Sequence, residues 1–307
     1  MASEVAPASS SKEANEALPQ PALASIREQP SILDRLVPAR LLNYLELDVD
    51  PSQSTYPLAA FCFMTGYIDA ISFSAIFVWC GFQTGNSVQL ALALCRLFEF
   101  PSSSPSHDTS FHLADQQALT SLLTFIFGAG LGRIGDNMRS GPKSRLWLFF
   151  GTMIQALFTM AAAVSLWKSG DGSVGTSRGD PAWTHAASFV ALGFMSASVG
   201  LQGIMGKRVN TQFATTVVLT TVWCELIADP KLFDIRRMVI TRDHKILAVI
   251  ALFLGGFVSR AILQTSVGSA GTLGIGCGMR VLIAIGWLFV PAKGTVGEGK
   301  KQAGITQ

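Results

Sequence analysis

Positions 57–79 form an apolar run long enough to cross a bilayer, and an acid, Asp69, stands inside it. An ionised side chain at the bilayer centre costs roughly 2.5 to 3.5 kcal/mol on insertion scales, so such a residue faces a bundle interior or a polar cavity. The run gives way to a polar break, Gln83-Thr84-Gly85-Asn86, and a second apolar stretch follows. Non-helical backbone at membrane depth survives only where protein or water covers it. An acid and a break this close together constrain the chain to an all-α integral membrane protein with a polar site inside the bundle.

Composition agrees. Of 307 residues, 49% are hydrophobic and 14% charged, with a mean hydropathy of +0.41, where soluble domains carry about 25% charge. The net charge of +3 is too small to suggest a nucleic-acid partner, and no basic-aromatic interleaving is present. Cys62, Cys80, Cys95, Cys224 and Cys277 lie in or beside apolar segments without CxxC spacing, which reads as free thiols used as small hydrophobes. No HExxH, GxSxG or P-loop occurs, so neither an enzyme nor a cofactor is expected. His107, Asp108, His112 and Asp115 share one loop region and offer at most a weak metal site.

Along the chain, residues 1–30 are rich in Ser, Ala, Pro and Glu and are expected to be disordered. Over 31–56, Leu33, Leu36, Val37, Leu41, Leu42 and Leu45 recur at helical spacing. That pattern suits an interfacial helix kinked at Pro38, or equally one packed on the bundle. The transmembrane domain is expected over 57–291, in halves 57–167 and 184–291, and a disordered tail over 292–307. Six segments approach the roughly 20 residues a span needs: 57–79, 116–134, 146–167, 184–205, 246–264 and 272–291. Two weaker ones, 85–98 and 211–228, are shorter and studded with hydroxyls and amides, as partial or re-entrant helices are. Lys and Arg concentrate in 133–145 and 229–245. Six crossings plus two partial segments put both basic loops and both termini on one side, which the positive-inside rule makes cytoplasmic.

The order of elements repeats: a Gly-containing span, a polar break, a partial segment, a Gly-rich span ending in Arg, and a final span. A shift of 127 lays Thr84 on Thr211, Gly128 on Gly255, Arg133 on Arg260 and Asp69 on Ser196. With three crossings per half, the repeats are expected to be inverted, as in many secondary transporters.

Gly66-Tyr67-Ile68-Asp69-Ala70, Thr84-Gly85-Asn86 and Gly128 through Arg133, with Ala191 through Phe194, Gly200-Leu201-Gln202 and Ala214 through Val218, together resemble the YoaK-like family (domain of unknown function 1275). These are multi-pass membrane proteins of unknown activity. The likeness spans about 57–291 and implies a six-span membrane protein. Gly203 stands where that family usually shows Asn, and Thr220-Thr221 where it shows Thr-Gly.

The candidate site gathers Asp69, its helix-face neighbours Thr65 and Ser72, the break Thr84-Gly85-Asn86, and Gln202, Thr215 and Thr216 from the second half. Asp69 reads either as a proton carrier or cation ligand, or as an acid locking helices together. The break reads either as unwound backbone open to a solute or as a turn with Asn86 as N-cap. Arg133 and Arg260 end their spans, by snorkelling or by pairing with Asp69. Arg280 lies inside the last span and needs water, a phosphate or an acid. The expectation is a transporter of a small solute or ion, coupled to protons through Asp69, whose two halves rock about a midplane site. The alternative is a non-transporting membrane scaffold, assembly or partner-binding protein. The bilayer and a small solute are the expected partners, and self-association into a homo-oligomer is left open.

Overall fold

The computed structural model describes residues 38–98, 110–175, 180–209, 211, 216–217, 219–234 and 236–293. The tail expected over 1–30, residues 294–307 of the tail expected over 292–307, and His107, Asp108 and Thr215 lie outside these; Ala292 and Lys293, the first residues of that expected tail, are instead bridged to Val49 and bonded to Asp48 O. Among the described residues the chain forms α-helices and 3-10 turns and no strand. In chain order they are α1 (Ala39–Glu46), α2 (Thr55–Ile76), α3 (Gln83–Cys95), α4 (Leu113–Gly132), α5 (Arg145–Ser169), α6 (Ala186–Val209), α7 (Thr220–Ile227), α8 (Ile240–Leu263) and α9 (Gly268–Leu288). Six of these, α2, α4, α5, α6, α8 and α9, are long and apolar enough to cross a membrane. The chain is an all-α, multi-pass membrane protein.

Local chemistry sets several boundaries. Ser144 caps α5 by accepting from the Trp147 N–H at 3.2 Å, the usual N-terminal device. At its far end Gly170 takes φ 73°, the left-handed turn that glycine adopts without strain. Pro38 does not kink α1 but precedes its first residue, where a missing N–H leaves no gap. α1 is fastened to the bundle: the Tyr44 hydroxyl donates to Leu288 O at 2.6 Å, and the Arg145 guanidinium lies 4.2 Å from the Tyr44 ring centroid.

Contacts between helix ends sort the bundle into two faces. Val49 bridges to Ala292, Thr55 meets His244, and Arg208 makes a two-point ion pair with Asp136. These place the start of α2, α5 and α8 and the end of α4, α6 and α9 on one face. Both described ends of the chain and both basic loops share it. On the opposite face Ser173 bonds Leu263 O, Val174 bonds Ser269, and Gln117 bonds Ala182 O and Trp183 O. The halves therefore run in opposite senses.

Packing follows the same two-fold pattern, but in a register that the sequence shift missed. Lipid tails are as apolar as the helices, so association depends on close packing, for which small residues let backbones approach. In the α2–α8 contact, a Cβ on Gly66 would lie 2.0 Å from Leu252 O, and one on Gly255 would lie 1.9 Å from Phe63 O. In the α4–α6 contact, a Cβ on Gly200 would lie 2.2 Å from Phe125 O, and one on Gly128 would lie 2.0 Å from Ala197 O. These are the same contacts with the halves exchanged. They relate α4 to α8 by 127 positions (128 to 255) but α2 to α6 by 134 (66 to 200). Asp69 thus corresponds to Gly203, not Ser196. Burial obeys the symmetry: 72% of the apolar window is buried in both α2 and α6, and 28% in both α4 and α8. Each tight pair joins one helix from each half, so the halves are interlocked rather than two bodies free to rock.

Candidate functional site

α2 ends where Phe77 adopts φ 57°, a left-handed conformation that halts a helix. The chain then turns back into the bundle. Trp79 stacks on Phe73, with ring centroids 4.1 Å apart, and the Gly81 N–H donates to the Asp69 carboxylate at 2.8 Å. Asp69 lies fourteen residues beyond Thr55, a rise of about 21 Å, so residues 77–82 descend from the opposite face well into the spanning layer. From there α3 climbs out again, its end held by the Arg96–Asp115 ion pair at the start of α4. This is a re-entrant segment, and the break precedes α3 rather than falling at Thr84–Asn86.

The second half repeats the device from the basic face. α6 ends at Val209, and the chain returns to place Thr216 O where the Thr65 hydroxyl donates to it at 2.9 Å. α7 then leads back out, with Lys245 near Glu225 and Thr241 bonded to Asp229. The two re-entrant segments meet. Val217 of the second packs between Gly81 of the first and Gly203 of α6, 3.3 Å from where a Gly81 Cβ would stand and 3.1 Å from where a Gly203 Cβ would stand. That meeting point lies beside Asp69 and Thr65.

Asp69 is 7% exposed, and backbone amides of Cys80 and Gly81 hold its carboxylate. Neither helix-face hydroxyl does so. Thr65 bonds Thr216 O and Phe61 O, while Ser72 turns to the Asp69 carbonyl at 3.3 Å. Oriented amides suit a carboxylate because they supply positive dipole without a second ion.

Below it runs a buried polar layer. Gln202 donates to Thr65 Oγ1 at 2.8 Å and to Phe61 O at 2.9 Å, and accepts from Arg280 at 3.1 Å. Arg280, fully buried, also donates to Gln155 and to Ser198. No acid is among these partners, so amide and hydroxyl oxygens solvate the cation in place of water. The layer ties α2, α5, α6 and α9 to the second re-entrant segment.

The structure brings Asp69, Thr65, Gln202 and Thr216 together and leaves others aside. Thr84 is exposed on the first turn of α3, and a Cβ on Gly85 would meet the Phe82 ring. Asn86 is buried yet structural, donating to Trp79 O at 3.0 Å, Gln83 at 2.8 Å and Ser121 at 3.1 Å; it is not an N-cap, a position held by Phe82. Arg133 is exposed at the basic face, and Arg260 donates to Val174 O and Gly175 O; neither pairs with Asp69. Cys95 and Cys224 are exposed, whereas Cys62, Cys80 and Cys277 are buried. Gly81, Ser121, Ser198 and Gln155 join the polar interior without having been singled out. Gln155 carried a signal, an amide amid the apolar run 146–167, and the criterion that marked Asp69 applies to it equally.

A cavity of about 730 Å³ opens beside the meeting point. Its lining comes from α2, including Asp69, from α8, from both re-entrant segments and from the start of α7, and Arg260 stands at the end nearer the opposite face.

No curated protein and no solved structure matches the chain. A family model described as protein of unknown function (DUF1275) matches residues 58–286, from the first turn of α2 to the last turn of α9. That match takes in both re-entrant segments and every residue of the buried polar layer, and the chain belongs to this family.

Proposed function

We propose that the chain is a transporter of a small solute or ion, with Asp69 as the group that binds the solute or carries a coupled proton. The observation behind this reading is the meeting of two re-entrant segments, one from each face, at Gly81 and Val217 beside a buried acid that borders a cavity. Irregular backbone at membrane depth is retained where it lines a path or a site. Because glycine contacts interlock the halves, the reading assigns the gating motion to the re-entrant segments, at 77–82 and at Thr216, Val217 and Leu219, not to rocking halves. It places the basic face in the cytoplasm on the positive-inside rule, and it involves passage without a chemical step.

The test is flux in proteoliposomes loaded with a pH-sensitive dye and offered a panel of solutes. Asp69→Asn is expected to abolish solute-driven proton movement while the protein still elutes as a folded species. Wild-type flux in Asp69→Asn sinks the reading. If no solute moves and Asp69→Asn misassembles, the scaffold alternative takes its place.

A further inference from the structure

We infer that the cavity beside Asp69 binds an organic cation with an aromatic or alkyl body, a substrate class that rests on the transport reading above. The cavity's size is the first argument. About 730 Å³ falls in the range of pockets that enclose organic ligands, roughly 300–1,000 Å³, and far exceeds what a bare ion needs. Hard metal cations also demand about six or more oxygen ligands, whereas this lining offers one carboxylate and few hydroxyls.

The lining chemistry is the second argument. Phe73, Trp79, Phe82, Trp223, Phe253 and Phe257 all border the cavity. Aromatic faces attract a cation through the ring quadrupole, more so where water is excluded. Asp69 borders the same cavity, and its carboxylate accepts from the Gly81 N–H of the re-entrant segment at 2.8 Å. A carboxylate bordering the same cavity as a set of rings is the combination that recognises an ammonium or phosphonium attached to apolar bulk.

The two charges of the lining stand apart. Arg260 is held at the end of α8 by bonds from Nη1 and Nη2 to the carbonyls of Val174 and Gly175 at 3.1 and 3.4 Å. An anion seated beside Asp69 and the rings of α2 meets a like charge there. A neutral sugar fails for want of hydrogen-bond partners among the rings. Phe253 and Phe257 are 68% and 63% exposed on the spanning face of α8, so the mouth opens sideways toward the acyl layer, where a lipophilic cation concentrates.

The test uses the full chain in lipid nanodiscs, with equilibrium dialysis of labelled tetraphenylphosphonium and subtraction of empty discs. Saturable binding is expected, and the anion of matching shape, tetraphenylborate, is expected to bind no more than it does to empty discs. Asp69→Asn weakens phosphonium binding roughly thirty-fold or more, the effect of removing one partner of a buried charge pair. Phe257→Ala, on an exposed face where folding is not at stake, weakens it between about two-fold and thirty-fold. Equal saturable binding of both ions overturns the inference, as does phosphonium binding unmoved by either variant. Should another solute drive flux while phosphonium does not bind, the substrate class falls and transport stands. Phosphonium binding without any flux has the opposite meaning.

Discussion

Gly255→Ala is the sharpest probe of the interlocked fold. Its Cβ would stand 1.9 Å from Phe63 O, 2.8 Å from Phe63 C and 3.0 Å from Tyr67 N. A relaxed carbon–oxygen contact is about 3.3 Å, so α2 and α8 must part by about 1.4 Å at this point. All three neighbours are backbone, and no side-chain rotation relieves the clash. A gap of even 0.5–1 Å forfeits about a quarter to a half of the dispersion well for atoms across it. Overpacking of this kind costs about 1–3 kcal/mol and sometimes more, and the upper end applies here because the whole helix pair must shift. Gly274→Ala on α9 is the control: nothing lies within 4 Å of its Cβ, and alanine gains up to about 1 kcal/mol in helix propensity. The assay is thermal unfolding in detergent, followed by a fluorogenic thiol reagent that reports exposure of buried Cys62 on α2. Gly255→Ala should melt well below wild type and Gly274→Ala at or above it. Gly128→Ala, at 2.0 Å from Ala197 O, should fall by a similar amount, since it is the same contact in the other half. Coincident melting of Gly255→Ala with wild type would refute the backbone-on-backbone packing and the exchanged pairing built on it.

Three further outcomes are expected. Thr65→Val keeps the side-chain shape but strands Thr216 O and one Gln202 donor, costing about 1–3 kcal/mol; its thermal shift should come with faster thiol labelling of a cysteine at Val217, and slow labelling would count against Thr65 as the anchor of that segment. In a background lacking the native cysteines, an impermeant maleimide should reach cysteines at Phe77 and Phe98 from one side and at Lys207 and Glu225 from the other. Labelling of Phe77 and Phe98 from opposite sides would mean that α3 crosses the membrane. Gly81→Ala puts a methyl 3.0 Å from Asp69 Oδ2, 3.1 Å from Thr65 Cγ2 and 3.3 Å from Val217 Cγ1; small shifts absorb it, so flux should drop with little change in melting temperature, and unaltered flux would separate the meeting point from the path.

Much of this was legible from the chain. The long apolar runs favour lipid, while the acid at 69 and the two weak, hydroxyl-rich segments carry a solvation penalty there that draws them into the bundle. The site's membership was less legible. Thr84 and Gly85 mark the polar break by composition, yet the backbone leaves helix at 77–82, because Phe77 in a left-handed turn and the Trp79–Phe73 stack set the descent. The repeat register was obscured for a different reason. Placing Asp69 on Ser196 or on Gly203 differs by seven residues, about two helical turns, and two turns return the same small-residue stripe to the same face.

By itself, then, the sequence marked six runs long and apolar enough to cross, two weaker hydroxyl-rich segments, and an acid inside the first run. These follow from transfer free energies summed along each segment, and neighbours cannot change them. Tertiary structure decided which helices touch, that Asp69 rests on the amides of Cys80 and Gly81 rather than on Thr65 or Ser72, and that neutral amides rather than an acid receive Arg280. Those choices depend on distances between segments far apart in the chain. In lipid, where apolar burial does not discriminate among helix faces, they rest on whether backbones can approach at Gly66, Gly128, Gly200 and Gly255.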